Sequence, residues 1–265
     1  MKKYLVIGNP IEHSLSPNIH NYWFDKNKIN ATYEKKLITN NDLKTIILKL
    51  KSEKIHGINV TVPFKQAIIP FIDELSPEAK KTNSVNTVYK KDNKIVGHNT
   101  DIVGFELAIK EKKYRLKDKK IFILGAGGVV SSIIVAMKNL GSSKIILTNR
   151  TKENAEKIKE NFSDIEVVNW GEIPDFDMVI NATSVGLKSN EKLDLNLKKF
   201  GPDKFFYDVI YNPKETIFLK EAKEFGNKTE NGMMMFVYQA AAAFKLWHSI
   251  NPEIDNETLN LLKND

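Results

Sequence analysis

The chain has 265 residues, 42% of them hydrophobic, enough to bury one large core or two moderate ones. It contains no cysteine, which excludes disulfides, thiolate catalysis and cysteine-ligated zinc and fits a reducing cytoplasm. Lys and Arg outnumber Asp and Glu by 40 to 33, a formal net charge of +7, yet the lysines are dispersed beside acidic residues with no basic stripe, so the balance favours small anionic ligands over nucleic acid.

The opening MKKYLVIGNPIEH starts basic, but its apolar run stops after a few residues, unlike a secretory signal. Residues 3–8, KYLVIG, read as a buried strand ending in glycine. A helix is expected from about Pro17 to Lys26, with Ser16 as its N-cap and Pro17 at the first helical position. A cap uses one hydroxyl, which leaves Ser14 over. Residues 31–37 read as a second strand. In NNDLKTIILKLKSE, Leu43, Ile46, Ile47 and Leu50 fall on one helical face. GINVTV is a third strand, stopped by Pro63. SVNTVYKKDNKIVGHNT reads as a hairpin turning at Asp92–Asn93. These hundred residues form one α/β unit.

A helix from about Ile102 to Lys113 and the charged stretch KEKKYRLKDKK lead into a second unit. It opens with KIFILGAGGVVSSIIVAMKNLGSSKIILTNR, in which strand, glycine turn, helix and strand make a βαβ unit. IEVVNW, DMVINATS and FFYDVIY are further strands, which gives a doubly wound parallel sheet. After Gly232, MMMFVYQAAAAFKLWHSI reads as a long buried helix, too short and too polar to span a bilayer. IDNETLNLLK reads as a short final helix.

Gly125, Gly127 and Gly128 follow the first strand of that second unit. This is where a dinucleotide fold places the pyrophosphate, over a helix N-terminus. The third glycine of the G-x-G-x-x-G pattern is replaced by Val130, so an ordinary strand-to-helix turn remains the plain alternative. At the end of the next strand an NAD site carries an acidic residue. Here LTNRTK supplies Asn149, Arg150, Thr151 and Lys152, with no carboxylate. Arg150 offers a planar fork for a 2′-phosphate, which favours NADP(H) over NAD.

In the first unit, Lys65 in INVTVPFKQ, Asn86 in SVNTV and Asp101 in GHNTDIVGF each have a bland reading taken alone: a surface lysine, a strand polar residue, a helix N-cap. Taken together they fit a hydride transfer that needs a proton partner. A lysine relays the proton and a carboxylate orients it. The five histidines, His13, His20, His56, His98 and His248, show no short metal-ligand spacing, so no metal is expected.

The stretches GNPIEHSLSPNIHN, GINVTVPFK, VNTV, GHNTDIVGF, LGAGGVVSS, TNRT, NATSVGL, YDVIYNP and GMMMFVYQAAAAF, in that order, resemble the shikimate dehydrogenase family from end to end. The resemblance implies an α/β protein of two domains. Residues 1–101 with 232–265 would be the N-terminal α/β substrate-binding and catalytic domain. Residues 102–231 would be a Rossmann-type doubly wound NADP-binding domain. The implied activity is NADPH-dependent reduction of 3-dehydroshikimate to shikimate, on the route to chorismate and the aromatic amino acids, in the cytoplasm, by a monomer or homodimer.

The resemblance also implies site residues. Ser14 and Ser16 hold the substrate carboxylate. Thr61, Asn86, Asp101 and Gln239 bind its hydroxyl groups and carboxylate, and Tyr211 is a further substrate contact. Lys65 is the proton acceptor, paired with Asp101. Gly125, Ala126, Gly127, Gly128 and Val129 form the pyrophosphate loop, and Asn149, Arg150 and Thr151 the 2′-phosphate site. Thr183, Ile210 and Gly232 lie near the nicotinamide and its ribose.

Three positions depart from the family pattern. Asn83–Ser84 stands where Gly-Ala is frequent. Asn154 stands where a basic residue is frequent, and Lys152 is the expected substitute. Met234 replaces the second glycine of a late G-x-G-M motif. Two rival readings are a relative that oxidises quinate with NAD, which Arg150 disfavours, and a non-catalytic binding module, which an intact Lys65 and Asp101 disfavour.

Overall fold

The computed structural model describes residues 1–188, 190–195 and 201–262. The chain divides into two compact units, Met1–Gly104 with Val237–Asp265, and Phe105–Phe236. The divisions fall within helices, a few residues beyond the expected boundaries at 101 and 231.

The first unit begins with β1 (Lys2–Gly8), α1 (Ser16–Lys26), β2 (Ala31–Leu37), α2 (Leu43–Lys51), β3 (Gly57–Val60) and α3 (Phe64–Ala67). Then come β4 (Glu74–Leu75), α4 (Pro77–Thr82), β5 (Thr87–Lys91), β6 (Lys94–His98) and α5 (Asp101–Glu111), in which the chain leaves the unit. Its mixed sheet has the order β2-β1-β3-β5-β6-β4, with β1, β2 and β3 parallel and β5 antiparallel to both neighbours. Alternation along β1 sends Leu5 and Ile7 into a core shared with Leu43, Ile46, Ile47 and Leu50 of α2. Each of these fully buried aliphatic side chains contributes about 1.5–3 kcal/mol. The hairpin turns at Asp92 and Asn93 with φ of +47° and +65°, the two left-handed residues that a tight turn between twisted strands requires.

The second unit follows as β7 (Lys120–Leu124), α6 (Val130–Asn139), β8 (Lys144–Thr148), α7 (Lys152–Asn161), β9 (Glu166–Val168), β10 (Met178–Asn181), β11 (Phe205–Asp208), α8 (Ile217–Glu224) and β12 (Lys228–Glu230). All its strand pairs are parallel, in the order β12-β11-β10-β7-β8-β9. Such a sheet reverses its winding between β7 and β10. That reversal is where open α/β sheets place their ligands, at the carboxyl ends of the strands. β7, β10 and β11 are buried along nearly their whole length, as strands covered on both faces must be.

The chain returns to the first unit through α9 (Met233–His248) and ends with α10 (Asn256–Asn260); residue 263 of the expected last helix lies outside the described residues. Phe244 and Trp247 of α9 close an aromatic cluster with Tyr4, Trp23 and Phe24. No helix among the described residues is long and apolar enough to cross a membrane.

Candidate active site

Lys65 sits on the short α3, just past the end of β3. Its carbonyl accepts the Val85 N–H at 2.8 Å, which anchors α3 to the turn before β5. The Lys65 Nζ donates to Asp101 Oδ2 at 2.6 Å, and the two residues are only 9% and 4% exposed. The reading of Asp101 as an N-cap is corrected here. The Asn99 Oδ1 accepts the N–H groups of Asp101 and Ile102, at 3.0 and 3.3 Å. Asn99 therefore caps the start of α5, which leaves the Asp101 carboxylate for side-chain partners. A buried ion pair persists only when its remaining lone pairs are satisfied. Asn86 does this, donating to Asp101 Oδ1 at 2.9 Å.

Asn86 is the hinge of the cluster. Its amide nitrogen also faces Thr100 Oγ1 at 2.9 Å and Gln239 Oε1 at 3.4 Å, and its oxygen accepts the Thr100 N–H at 2.8 Å. The turn before it holds Asn83 at φ +47°, the left-handed conformation that a glycine would take there. Asparagine is the side-chain-bearing residue best suited to that region. Ser84, 1% exposed, fills the place of a small alanine. The departure at 83–84 thus leaves the backbone path intact.

Ser14 and Ser16 come together, with their hydroxyls 3.3 Å apart. The expected cap is corrected as well. α1 starts at Ser16 itself, Leu15 is the capping position, and no side chain caps the helix in the usual way. It is the Ser14 hydroxyl that accepts the Ser16 N–H, at 3.4 Å, because the chain turns back at Leu15. Ser16 and Tyr33 are both buried, at 6% and 2% exposure. Tyr33 donates to Asn59 Oδ1 at 2.6 Å, and Asn59 donates to the Asn86 carbonyl at 3.2 Å and to Thr87 Oγ1 at 3.1 Å. One buried polar chain therefore runs from Tyr33 through Asn59 and Asn86 to the Lys65–Asp101 pair. Thr61 N–H bonds the Ile7 carbonyl at 2.9 Å, which sets Thr61 beside the end of β1.

In the second unit, Gly125 follows β7 at φ +105°, and a Cβ there would lie 2.9 Å from the Ala182 carbonyl oxygen. Only glycine meets both demands. Ala126 to Val129 carry the turn to α6, which begins without a side-chain cap, and Gly127 stands in the open. Val130, at the third glycine position, is fully buried. Asn149 closes the turn after β8 by donating to the Thr151 carbonyl at 2.7 Å. Arg150 is exposed, and among the described residues no carboxylate pairs with it. Lys152 donates to Asn169 Oδ1 at 2.8 Å. A turn with open backbone, an uncapped helix start and an unpaired guanidinium at the next strand end fit a phosphorylated dinucleotide.

Thr183, Ile210, Tyr211 and Gly232 all belong to this second unit. Thr183 follows β10, Ile210 and Tyr211 follow β11, and Gly232 donates to the Ile210 carbonyl at 3.1 Å. Tyr211 stacks on Phe236 with ring centroids 4.6 Å apart. Met234 is half-buried at the start of α9. Sequence reasoning misses Tyr33, Asn59, Asn181, Asp208 and Thr216. Asn59 and Asp208 do leave a signal, each being a polar residue in an otherwise apolar strand.

Two family models match the chain: the shikimate dehydrogenase substrate binding domain over residues 6–88, and shikimate / quinate 5-dehydrogenase over residues 106–206. The NADP(+) shikimate dehydrogenase of Pelagibacter ubique (strain HTCC1062) is 59% identical over 261 residues, 98% of each chain. The chain belongs to the shikimate dehydrogenase family. The crystal structure of shikimate dehydrogenase from Aquifex aeolicus matches with a TM-score of 0.93 and 38% identity, over all of this chain and 98% of that one. The Thermus thermophilus enzyme, solved in complex with NADP(H) and shikimate, matches with a TM-score of 0.90 and 30% identity, over 99% of this chain and 98% of that one.

Proposed function

We propose that this member of the shikimate dehydrogenase family catalyses the reversible, NADPH-dependent reduction of 3-dehydroshikimate to shikimate. The observation that carries the reading is the 2.6 Å contact between Lys65 and Asp101, a lysine and a carboxylate sealed together beside Asn86. When bound, NADPH supplies the hydride for the carbonyl carbon. Lys65 delivers the proton to the carbonyl oxygen as negative charge develops on it, and in the oxidative direction its amine takes the proton back. Asp101 holds the Lys65 Nζ in one position, and Asn86 holds Asp101.

The remaining roles follow the family pattern. The Ser14 and Ser16 hydroxyls take the substrate carboxylate. Thr61, Asn86, Asp101 and Gln239 take its other oxygens, and Tyr211 is a further contact. Residues 125–129 face the pyrophosphate. Asn149, Arg150 and Thr151, with Lys152 in support, hold the 2′-phosphate; the guanidinium fork of Arg150 suits a phosphate dianion. Thr183, Ile210 and Gly232 serve the nicotinamide end.

Turnover measured by the absorbance of the reduced cofactor tests the reading, with shikimate or quinate each offered NADP+ or NAD+. Shikimate with NADP+ is expected to be the fastest pair. Equal or faster turnover of quinate with NAD+ would instead assign a quinate dehydrogenase, and a folded protein inert with all four pairs would be a binding module.

A further inference from the structure

Asn181 and Asp208 are the last residues of β10 and β11, paired in register, and both are completely buried. Neither has a part in the proton relay or in the family's ligand contacts. A carboxylate kept wholly from water is costly unless it is fully hydrogen-bonded. Asp208 meets that condition. Its Oδ1 accepts the Ile210 N–H at 3.0 Å and the Asn181 amide at 3.1 Å, and its Oδ2 accepts the Thr216 hydroxyl at 2.6 Å. Burial still raises its pKa to about 6, so the fold retains a charge that does not rest comfortably there.

Asn181 completes the arrangement on the neighbouring loop. Its oxygen accepts the Thr183 N–H at 3.1 Å and the Thr183 hydroxyl at 2.7 Å, while its amide also donates to the Val185 carbonyl at 3.1 Å. One side-chain pair thus closes two loops, residues 182–186 and 209–216. The closure reaches further. Gly232 donates to the Ile210 carbonyl at 3.1 Å and passes so near Val209 that a Cβ would lie 2.1 Å from its oxygen. Thr183 in turn abuts the dinucleotide turn, with its Cγ2 2.9 Å from where a Cβ on Gly125 would stand.

We infer that Asn181 and Asp208 form a positioning clasp that holds Thr183, Ile210 and Gly232 in the arrangement that seats the nicotinamide end of the cofactor. This rests on the dehydrogenase reading. The pair is too deeply buried to touch a ligand, so it acts through the three residues it orders. Every partner of Asp208 is a donor. Asp208→Asn keeps the volume but removes the charge and one acceptor: its NH2 group either meets the Ile210 and Asn181 donors or turns the Thr216 hydroxyl, which also receives the Leu219 N–H, from donor to acceptor, and either way the bonds that close the loops are weakened.

The test compares two probes on the full chain by calorimetric titration: NADP+, and adenosine 2′,5′-bisphosphate, which keeps the 2′-phosphate and lacks the nicotinamide. Asp208→Asn is expected to weaken NADP+ about tenfold, as for loss of hydrogen bonds to a charged group, and the bisphosphate less than about twofold. Thr216→Val, which keeps the carboxylate and removes the 2.6 Å bond, is expected to show the same split at about threefold. It serves in place of Asp208→Asn if that variant does not fold. Equal weakening of both probes, or unchanged NADP+ affinity, overturns the clasp and leaves the dehydrogenase reading standing. A wild-type chain that binds neither probe and turns over no substrate overturns both.

Discussion

Lys65 and Asp101, 36 residues apart in sequence, meet at 2.6 Å with almost no exposure to water. The pair is held from both sides: α3 is tied through the Lys65 carbonyl to Val85, and the carboxylate is tied to Asn86. Positioning of this kind makes a proton relay efficient, because the donor does not search for its geometry during the reaction.

Lys65→Ala is therefore expected to lower kcat by about 10²–10⁴-fold while KM for shikimate changes far less, since the amine acts on developing charge. Steady-state kinetics with shikimate and NADP+ check this. A large rise in KM at unchanged kcat would make Lys65 a binding residue. The variant should also be less stable, because it strands a buried carboxylate with Asn86 as its remaining named partner.

Ser14→Ala and Ser16→Ala are each expected to raise KM for shikimate about tenfold, the loss of one hydrogen bond to a carboxylate, with kcat nearly unchanged. Because Ser14 supplies the acceptor for the Ser16 N–H, neither serine should behave as an ordinary helix cap in thermal denaturation. Melting curves of the two variants check that. A large melting-temperature loss confined to Ser16→Ala would restore the cap that the structure removes.

Arg150→Ala is expected to weaken NADP+ by at least about tenfold and to leave NAD+ nearly unaffected, since only the former carries a 2′-phosphate for the guanidinium. The ratio of kcat/KM for the two cofactors is the readout. An unchanged ratio would remove Arg150 from the phosphate site.

His20 is completely buried, lies parallel to the Tyr33 ring at 4.3 Å, and has no hydrogen-bond partner for either ring nitrogen among the described residues. Burial lowers its pKa to about 3, with the charge of nearby His248 adding to the effect. The unfolded chain, with an ordinary histidine near 6.5, binds a proton that the native state refuses. Stability should therefore fall as pH drops below about 6.5, and level off only below about 3. At pH 5 the loss from this residue is about 2 kcal/mol. His248, lowered to about 4 by burial, acts in the same direction. Urea denaturation at pH 7 and pH 5 should show the loss, and His20→Phe should reduce it. An identical pH dependence in that variant would place the acid sensitivity elsewhere.

The elements legible in the sequence were those with a strong period or a strong turn. The α2 face of Leu43, Ile46, Ile47 and Leu50 and the Asp92–Asn93 hairpin are where the residues placed them. The strands β4 and β12 were not legible, because Glu74–Leu75 and Lys228–Glu230 are two or three residues long and mostly polar. The helix α4 carried its signal in Ser76, whose hydroxyl accepts the Ala79 N–H, and in Pro77, but six residues give no period to read.

The site was legible through the family pattern and through little else. Nothing local tells that Lys65 faces Asp101, or that Asn86 holds the carboxylate. Such relations arise from the packing of β3, β5 and β6 into one sheet. Asp208 shows the same limit, since its three donors come from three different places in the chain.

The aromatic cluster of the first unit joins the two ends of the chain. Tyr4 packs on Trp247 at 5.0 Å, Trp23 donates its indole N–H to the Glu253 carbonyl at 3.2 Å, and Tyr22 donates to Asp255 at 2.7 Å. In synthesis order the 105–236 unit is one uninterrupted stretch, whereas the first unit is split around it. Tyr4, Trp23 and Phe24 therefore lack the Phe244 and Trp247 rings until α9 has been made. The first unit is thus completed only after the whole of the second has been made, and Asn86, which holds Asp101, acquires Gln239 at that step.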